Sequence, residues 1–132
     1  VANLKNDLNL ALSHQQLEIH FQPQVNESKR IIGAEALLRW HHPSLGTIPP
    51  STFIPLAEET SLIIPIGNWV LEQACRQLKG WNDDPKTKNL RVSVNVSALQ
   101  FSKKDFVEQI ARAVELSGCN PKNLMLELLK VW

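Results

Sequence analysis

An excess of charge of either sign is nearly absent from this chain: 14 lysines and arginines face 13 aspartates and glutamates, leaving +1 over 132 residues. That balance gives no global electrostatic reason to expect DNA or an anionic membrane as a partner. Cysteine is scarce as well. Cys75 and Cys119 are too few and too far apart in sequence for a disulfide framework or a zinc site, and two buried free thiols in a reducing cytosol are expected. No stretch is long and apolar enough to span a bilayer, and the N-terminus lacks a secretory pattern, so a cytoplasmic chain is expected. Internal repeats and low-complexity tracts are missing too. What remains is the size of one ordinary domain, with enough apolar content for a core.

Hydrophobic spacing orders the elements. Leu4, Leu8, Ala11 and Leu12 predict a short amphipathic helix over 3–14. Leu17 to Gln24 alternates, with Leu17, Ile19 and Phe21 on one face and Glu18, His20, Gln22 and Gln24 on the other. A polar turn at Asn26 to Lys29 leads into Ile31 to Trp40, which completes a hairpin. His41 to Pro50 reads as a loop, and Ser51 or Thr52 can cap a short helix through Glu58. A longer helix is expected over Pro65 to Lys79, stopping at Gly80, then a polar loop and a strand from Leu90 to Val96. Ser102-Lys103-Lys104-Asp105 fits a capping box opening a helix to about Ser117, ended by Gly118. Asn120-Pro121 is a turn before a last strand, Leu124 to Leu129, so apolar that a parallel sheet covered on both sides is expected. A hairpin followed by helix–strand–helix–strand points to an α/β sheet with parallel crossovers.

The most informative stretch is Ile31 to Trp40, IIGAEALLRW. Propensity alone makes its centre good helix material. Its shortness, Gly33 and the stop at His41-His42-Pro43 favour a strand, with Glu35, Leu37 and Arg39 on one face. A carboxylate and a guanidinium there are costly to bury unless they meet a metal, a phosphate or each other. Glu35, Asn95 and Glu127 each sit on a different expected strand, each the odd polar group among aliphatic neighbours. Three oxygen donors from adjacent strands suit Mg²⁺ or Mn²⁺ rather than zinc. The plainer reading, preferred on spacing alone, has Asn95 capping a turn and Glu35 pairing with Arg39 or a neighbouring strand.

Glu35-Ala36-Leu37 followed by Leu38-Arg39-Trp40 resembles the signature of the EAL family, bacterial phosphodiesterases and receptors for cyclic di-GMP. The surroundings agree in order and spacing: Phe21-Gln22-Pro23, Phe53-Ile54-Pro55-Leu56-Ala57-Glu58-Glu59, Ile66-Gly67-Asn68-Trp69 and Val94-Asn95-Val96-Ser97. The resemblance covers nearly the whole chain but only about the first half of a family domain. It implies a partial, truncated TIM-barrel-like fold: a leading hairpin with one antiparallel strand, then parallel strands with crossover helices. A complete barrel takes roughly 250 residues, so residues 1–132 are expected to supply about half of one.

The resemblance reverses the plainer reading of the polar residues. The positions of Glu35, Asn95 and Glu127 match metal ligands of the family, implying Mg²⁺ or Mn²⁺. Leu37 and Arg39 match substrate contacts, Arg39 being suited to hold a phosphate by two hydrogen bonds. Gln22 matches a position lining the nucleotide site. Pro55, Leu56 and Glu59 fall in a segment near the ligand, although Phe53, Ile54 and Leu56 serve equally well as core; Ser97 is read as a support for Asn95. The implied reaction is hydrolysis of cyclic di-GMP to linear pGpG with two metals. Counterparts of the family's later motifs do not occur, and Asp83-Asp84 before Pro85 is not its paired-aspartate motif. Where the family has Leu-Thr-Glu after the metal glutamate, Leu128-Leu129-Lys130 stands here. This chain alone is therefore expected to be inactive, binding cyclic di-GMP weakly or not at all. A degenerate binding or interaction module, with a homodimer of half-barrels, is the alternative. His41-His42 reads as a solvated loop pair, His14 and His20 as histidines without a partner at ligand spacing, and Lys86, Lys88, Lys103 and Lys104 as surface charge.

Overall fold

The computed structural model describes residues 3–129. Asn3 opens α1 (Leu4–Ala11) by accepting a hydrogen bond from the Asn6 N–H, the usual work of an N-cap amide. β1 (Leu17–Val25) and β2 (Ile31–His42) then form the expected antiparallel hairpin, with Gln22 opposite Glu35 and Leu17 opposite Trp40. The Asn26 carboxamide oxygen holds the turn by accepting from the Ser28 and Arg30 N–H groups.

The hairpin runs further than its sequence suggests. β2 continues through His41 and His42, and Gly46–Ile48 returns as β3, antiparallel to the end of β2. His42 is the reason. It is buried, its Nε2 lies 2.7 Å from Asp7 Oδ2 on α1, and its Nδ1 accepts from the Ser44 and Leu45 N–H groups at 3.1 Å. One satisfied imidazole thus pins α1, β2 and the following turn together, and the reading of His41-His42 as a solvated loop pair is corrected: both lie on β2, and of the two His41 alone is exposed.

α2 (Pro50–Glu59) starts with Pro50 at its first position, where the missing N–H costs nothing, and neither Ser51 nor Thr52 caps it. α3 (Ile63–Asn82) is longer than expected at both ends. Pro65 is absorbed in the first turn, and Gly80 does not stop the helix because Trp81 continues its packing, edge-on to Phe21 at 5.9 Å. β4 (Arg91–Val96) follows, then a short α4 (Ala98–Phe101) with no warning in the hydrophobic spacing. Ser97 caps it by accepting from the Gln100 N–H. The expected capping box is not formed: Ser102 closes α4, its hydroxyl donating to the Leu99 carbonyl, and α5 (Phe106–Ser117) begins after an Asp105 that makes no side-chain cap. Gly118 ends α5 in the left-handed region at φ 73°, as expected. A single 3₁₀ turn at Pro121–Asn123 leads to β5 (Leu124–Leu128).

The main sheet runs β1-β2-β4-β5, with β1–β2 antiparallel and β2–β4 and β4–β5 parallel. Gly33 is required where β2 meets β4, since a Cβ there would overlap the Arg91 carbonyl. One face of the sheet is covered. Ala36, Leu38, Trp40, Val92 and Val94 pack under Ile66, Val70, Leu71, Ala74 and Leu78 of α3, with Phe53 of α2 edge-on to Trp40 at 5.8 Å. Each large side chain buried in this way contributes roughly 1.5–3 kcal/mol. Cys75 and Cys119 are free and buried, and burial together with the neighbouring Cys119 pushes the Cys75 thiol up to about 12. β5 departs from the expectation of a strand covered on both sides: Met125, Leu126 and Leu128 are exposed. Among the described residues no helix is long and apolar enough to cross a membrane.

Candidate functional site

Residues opposite one another in a sheet point to the same side. Register therefore puts Gln22, Glu35 and Ser93 in one row across β1, β2 and β4, with Asn95 and Glu127 in a row across β4 and β5. Period two adds Leu37 and Arg39 to this face, which is the one opposite the helix-covered core. The backbone alone gathers the polar positions singled out on sequence grounds on a single surface.

Glu35 and Asn95 make contact: the Asn95 Nδ2 donates to Glu35 Oε2 at 3.1 Å. Both are half-buried. Among the described residues Glu35 has no ion-pair partner, so of the plainer alternatives the Glu35–Arg39 pair is not realised and the contact with a neighbouring strand is, through Asn95 on β4. The Arg39 Nη1 instead donates to the Leu38 carbonyl at 3.1 Å. A half-buried carboxylate that, among the described residues, is held by a neutral amide alone has room for a cation.

The sheet itself opens a cleft beside these groups. β2 pairs with β4 over Gly33–Ala36 and with β3 over Trp40–His42, and between the two pairings lie Leu37, Leu38 and Arg39. There a cavity of about 510 Å³ forms, with Glu35, Leu37, Arg39 and Asn95 on its sheet side and Pro50, Ile54, Ile66, Gly67 and Gln100 on its helix side. Gln100 is buried against Gly67, where any Cβ would overlap its side-chain amide. Sequence reasoning missed Gln100, since the helix carrying it has too few residues to show a period.

Not every expected residue lies in the cleft. Gln22 is exposed beside Glu35, and Glu127 is exposed on the edge strand opposite Asn95; neither lines the cavity. Pro55 is exposed within α2, where Pro50 and Ile54 reach the cavity instead. Ser97 is buried at the cleft wall as the α4 cap, a role different from simply supporting Asn95. Of the tail departure, Leu128 ends β5 and Leu129 lines the cavity, its N–H donating to the Val96 carbonyl at 2.8 Å, whereas Lys130 lies outside the described residues.

Glu35, Asn95 and Glu127 offer oxygen, with neither sulfur nor imidazole among them, which fits a hard divalent cation better than zinc. A second polar group lies further along the same face. Glu18 Oε2 is 2.7 Å from His41 Nε2 and 3.5 Å from His20 Nε2, so the expectation that His20 lacks a partner at ligand spacing is also corrected. Hydrogen bonds from His41 and then His20 hold the Glu18 carboxyl below its ordinary value of 4.5. The signal was available: once the hairpin is carried past Trp40, alternation sets all three residues on one face.

Comparison with known proteins agrees with this geometry. The EAL domain model matches residues 5–131. The bifunctional diguanylate cyclase/cyclic di-GMP phosphodiesterase MucR of Pseudomonas aeruginosa is 44% identical over 126 residues, 95% of this chain and 18% of that protein. The oxygen sensor protein DosP of Escherichia coli is 42% identical over 122 residues, covering 89% and 15% respectively. Among solved structures, the MucR phosphodiesterase in complex with c-di-GMP superposes with a TM-score of 0.89 at 44% identity, over 93% of this chain and 50% of that one. The EAL enzyme Bd1971 with cAMP and cyclic di-GMP bound superposes at 0.88 and 34% identity, over 95% and 35%. The chain thus spans under a fifth of those curated relatives and at most half of those solved chains. With a family model matched over nearly its full length, and with the Glu35-Ala36-Leu37 strand set in the matching sheet, this chain belongs to the EAL-domain family.

Proposed function

We propose that residues 1–132 are the leading half of an EAL barrel, and that their cleft is half of a site for cyclic di-GMP and a hard divalent cation, Mg²⁺ or Mn²⁺. The observation that carries this reading is the Glu35–Asn95 contact at 3.1 Å, at the mouth of a cavity that Arg39 also lines. Glu35, Asn95 and Glu127 would hold the cation through two carboxylates and an amide oxygen. Arg39 takes a phosphate oxygen pair, Leu37 and Gln22 lie along the nucleotide, and Pro55 borders it from α2. A bound cation pair would neutralise phosphate charge and lower the pKa of an attacking water. Three oxygen ligands are few for two metals, so these residues by themselves bind the dinucleotide weakly and do not hydrolyse it to pGpG. A cytoplasmic setting belongs to the same reading and is supported by two free, buried thiols.

Titrating cyclic di-GMP into the chain calorimetrically, with and without Mg²⁺, tests this, followed by chromatography of the nucleotide. The expected result is cation-dependent binding that falls about tenfold or more in Glu35→Ala, since losing a charged ligand costs on the order of 1.5–3 kcal/mol. Release of pGpG would overturn the inactive half-site, and binding indifferent to Mg²⁺ and to Glu35→Ala would overturn the site itself.

One observation favours a second reading, a self-associating module. β5 exposes Met125, Leu126 and Leu128 and has a strand partner on one side only among the described residues. Two copies joined along this edge would cover both the apolar side chains and the unpaired backbone.

A further inference from the structure

We propose that Glu18, His20 and His41 form a surface site for a borderline transition-metal cation, Zn²⁺ in the first place, that staples β1 to the far end of β2. This site adjoins the Glu35 cleft without sharing residues with it: Glu18 and His20 stand opposite Arg39 and Leu37 across the hairpin, and none of the three proposed ligands lines the cavity. His41 lies six residues beyond Glu35 on β2, about 20 Å along an extended strand.

The three ligand atoms, one from each residue, lie within 4.8 Å of one another. A tetrahedral zinc with bonds of about 2.0–2.2 Å sets its ligands roughly 3.2–3.5 Å apart. Glu18 Oε2 and His20 Nε2, at 3.5 Å, already meet that spacing. Glu18 Oε2 and His41 Nε2, at 2.7 Å, share a hydrogen bond that must open by roughly 0.5–0.8 Å to admit the ion. The side chains are free to make that change: they are 57%, 51% and 44% exposed for Glu18, His20 and His41.

The chemistry of the set points away from Mg²⁺. Two imidazoles and one carboxylate are a zinc donor set, with a fourth position left to water. His41 is also oriented from behind. Its Nδ1 lies 3.3 Å from Thr47 Oγ1 on β3, which keeps the Nε2 turned toward Glu18 in the manner of an outer-shell partner. Arg39 stands opposite Glu18 in the register but directs its Nη1 to the Leu38 carbonyl.

Zinc titration of the full chain, in the presence of excess Mg²⁺ and a chromophoric zinc competitor, tests the assignment. One equivalent of Zn²⁺ is expected to bind with a dissociation constant in the micromolar range and to raise Tm. His41→Ala and His20→Ala, both surface changes whose fold circular dichroism checks, are each expected to weaken binding by at least about tenfold, since loss of even an outer-shell partner costs that much. Glu35→Ala and Cys75→Ser are expected to leave it unchanged. Absence of saturable binding overturns the proposal, as does binding that survives both histidine changes or is lost instead with Glu35 or Cys75.

Discussion

At the scale of single residues, the face of β2 was open to reading and the cross-strand partners were not. Alternation alone places Glu35, Leu37 and Arg39 together, and the register confirms it. The contact of Asn95 with Glu35 spans 60 positions, and no periodicity within one strand announces it. The same blindness hid Glu18 and His41, which are 23 positions apart in sequence and 2.7 Å apart in space. Their pairing has a measurable signature. Because hydrogen bonds from His41 and His20 lower the Glu18 pKa, the ionised carboxylate favours the folded state above pH 4.5, and that preference fades as pH falls through the lower folded value. NMR titration of the Glu18 carboxyl carbon should give a midpoint below 4.5 that moves back toward 4.5 in His41→Ala. An unchanged midpoint in the variant would assign the shift to another cause.

At the scale of elements, the helices and strands were legible where burial was periodic and illegible where a tertiary contact overrode a local signal. Gly80 reads as a helix stop, yet α3 runs past it because Trp81 has Phe21 to pack against. Ser102 reads as the start of a capping box, but its hydroxyl is already committed to the end of α4. Glycine substitution separates the two kinds of glycine. A Cβ at Gly80 meets nothing within 4 Å, so Gly80→Ala should stabilise the chain by about 0.5–1 kcal/mol through better helix propensity. At Gly33 the Cβ would overlap the Arg91 backbone, which cannot swing aside as a side chain can. Gly33→Ala should lose about 1–3 kcal/mol, and urea unfolding of both variants checks the opposite signs. Equal, small effects would show that the β2–β4 approach is looser than described.

At the scale of the whole molecule, the hairpin followed by parallel crossovers was legible, because a strongly alternating pair precedes strands separated by helices. The condition of β5 was not. Its apolar run implied cover on both sides, and within residues 3–129 it has a strand partner on one side only, with Leu126 and Leu128 exposed. Such an edge invites pairing, so light scattering on a sizing column should detect a dimer that Leu126→Lys weakens. A monomer at all workable concentrations would dismiss the self-associating reading while leaving the cleft untouched.

The mixed sheet also sets the order in which the chain can assemble. β1 and β2 meet across a short turn, whereas Gly33 finds Arg91 only after the intervening α2 and α3 have been gathered in. Closing a short loop takes far less time than assembling a distant parallel pair. The hairpin that carries Glu35 is thus the natural early scaffold, and Asn95 arrives late. The cleft therefore depends on the long-range β2–β4 pairing, which the hairpin alone does not supply.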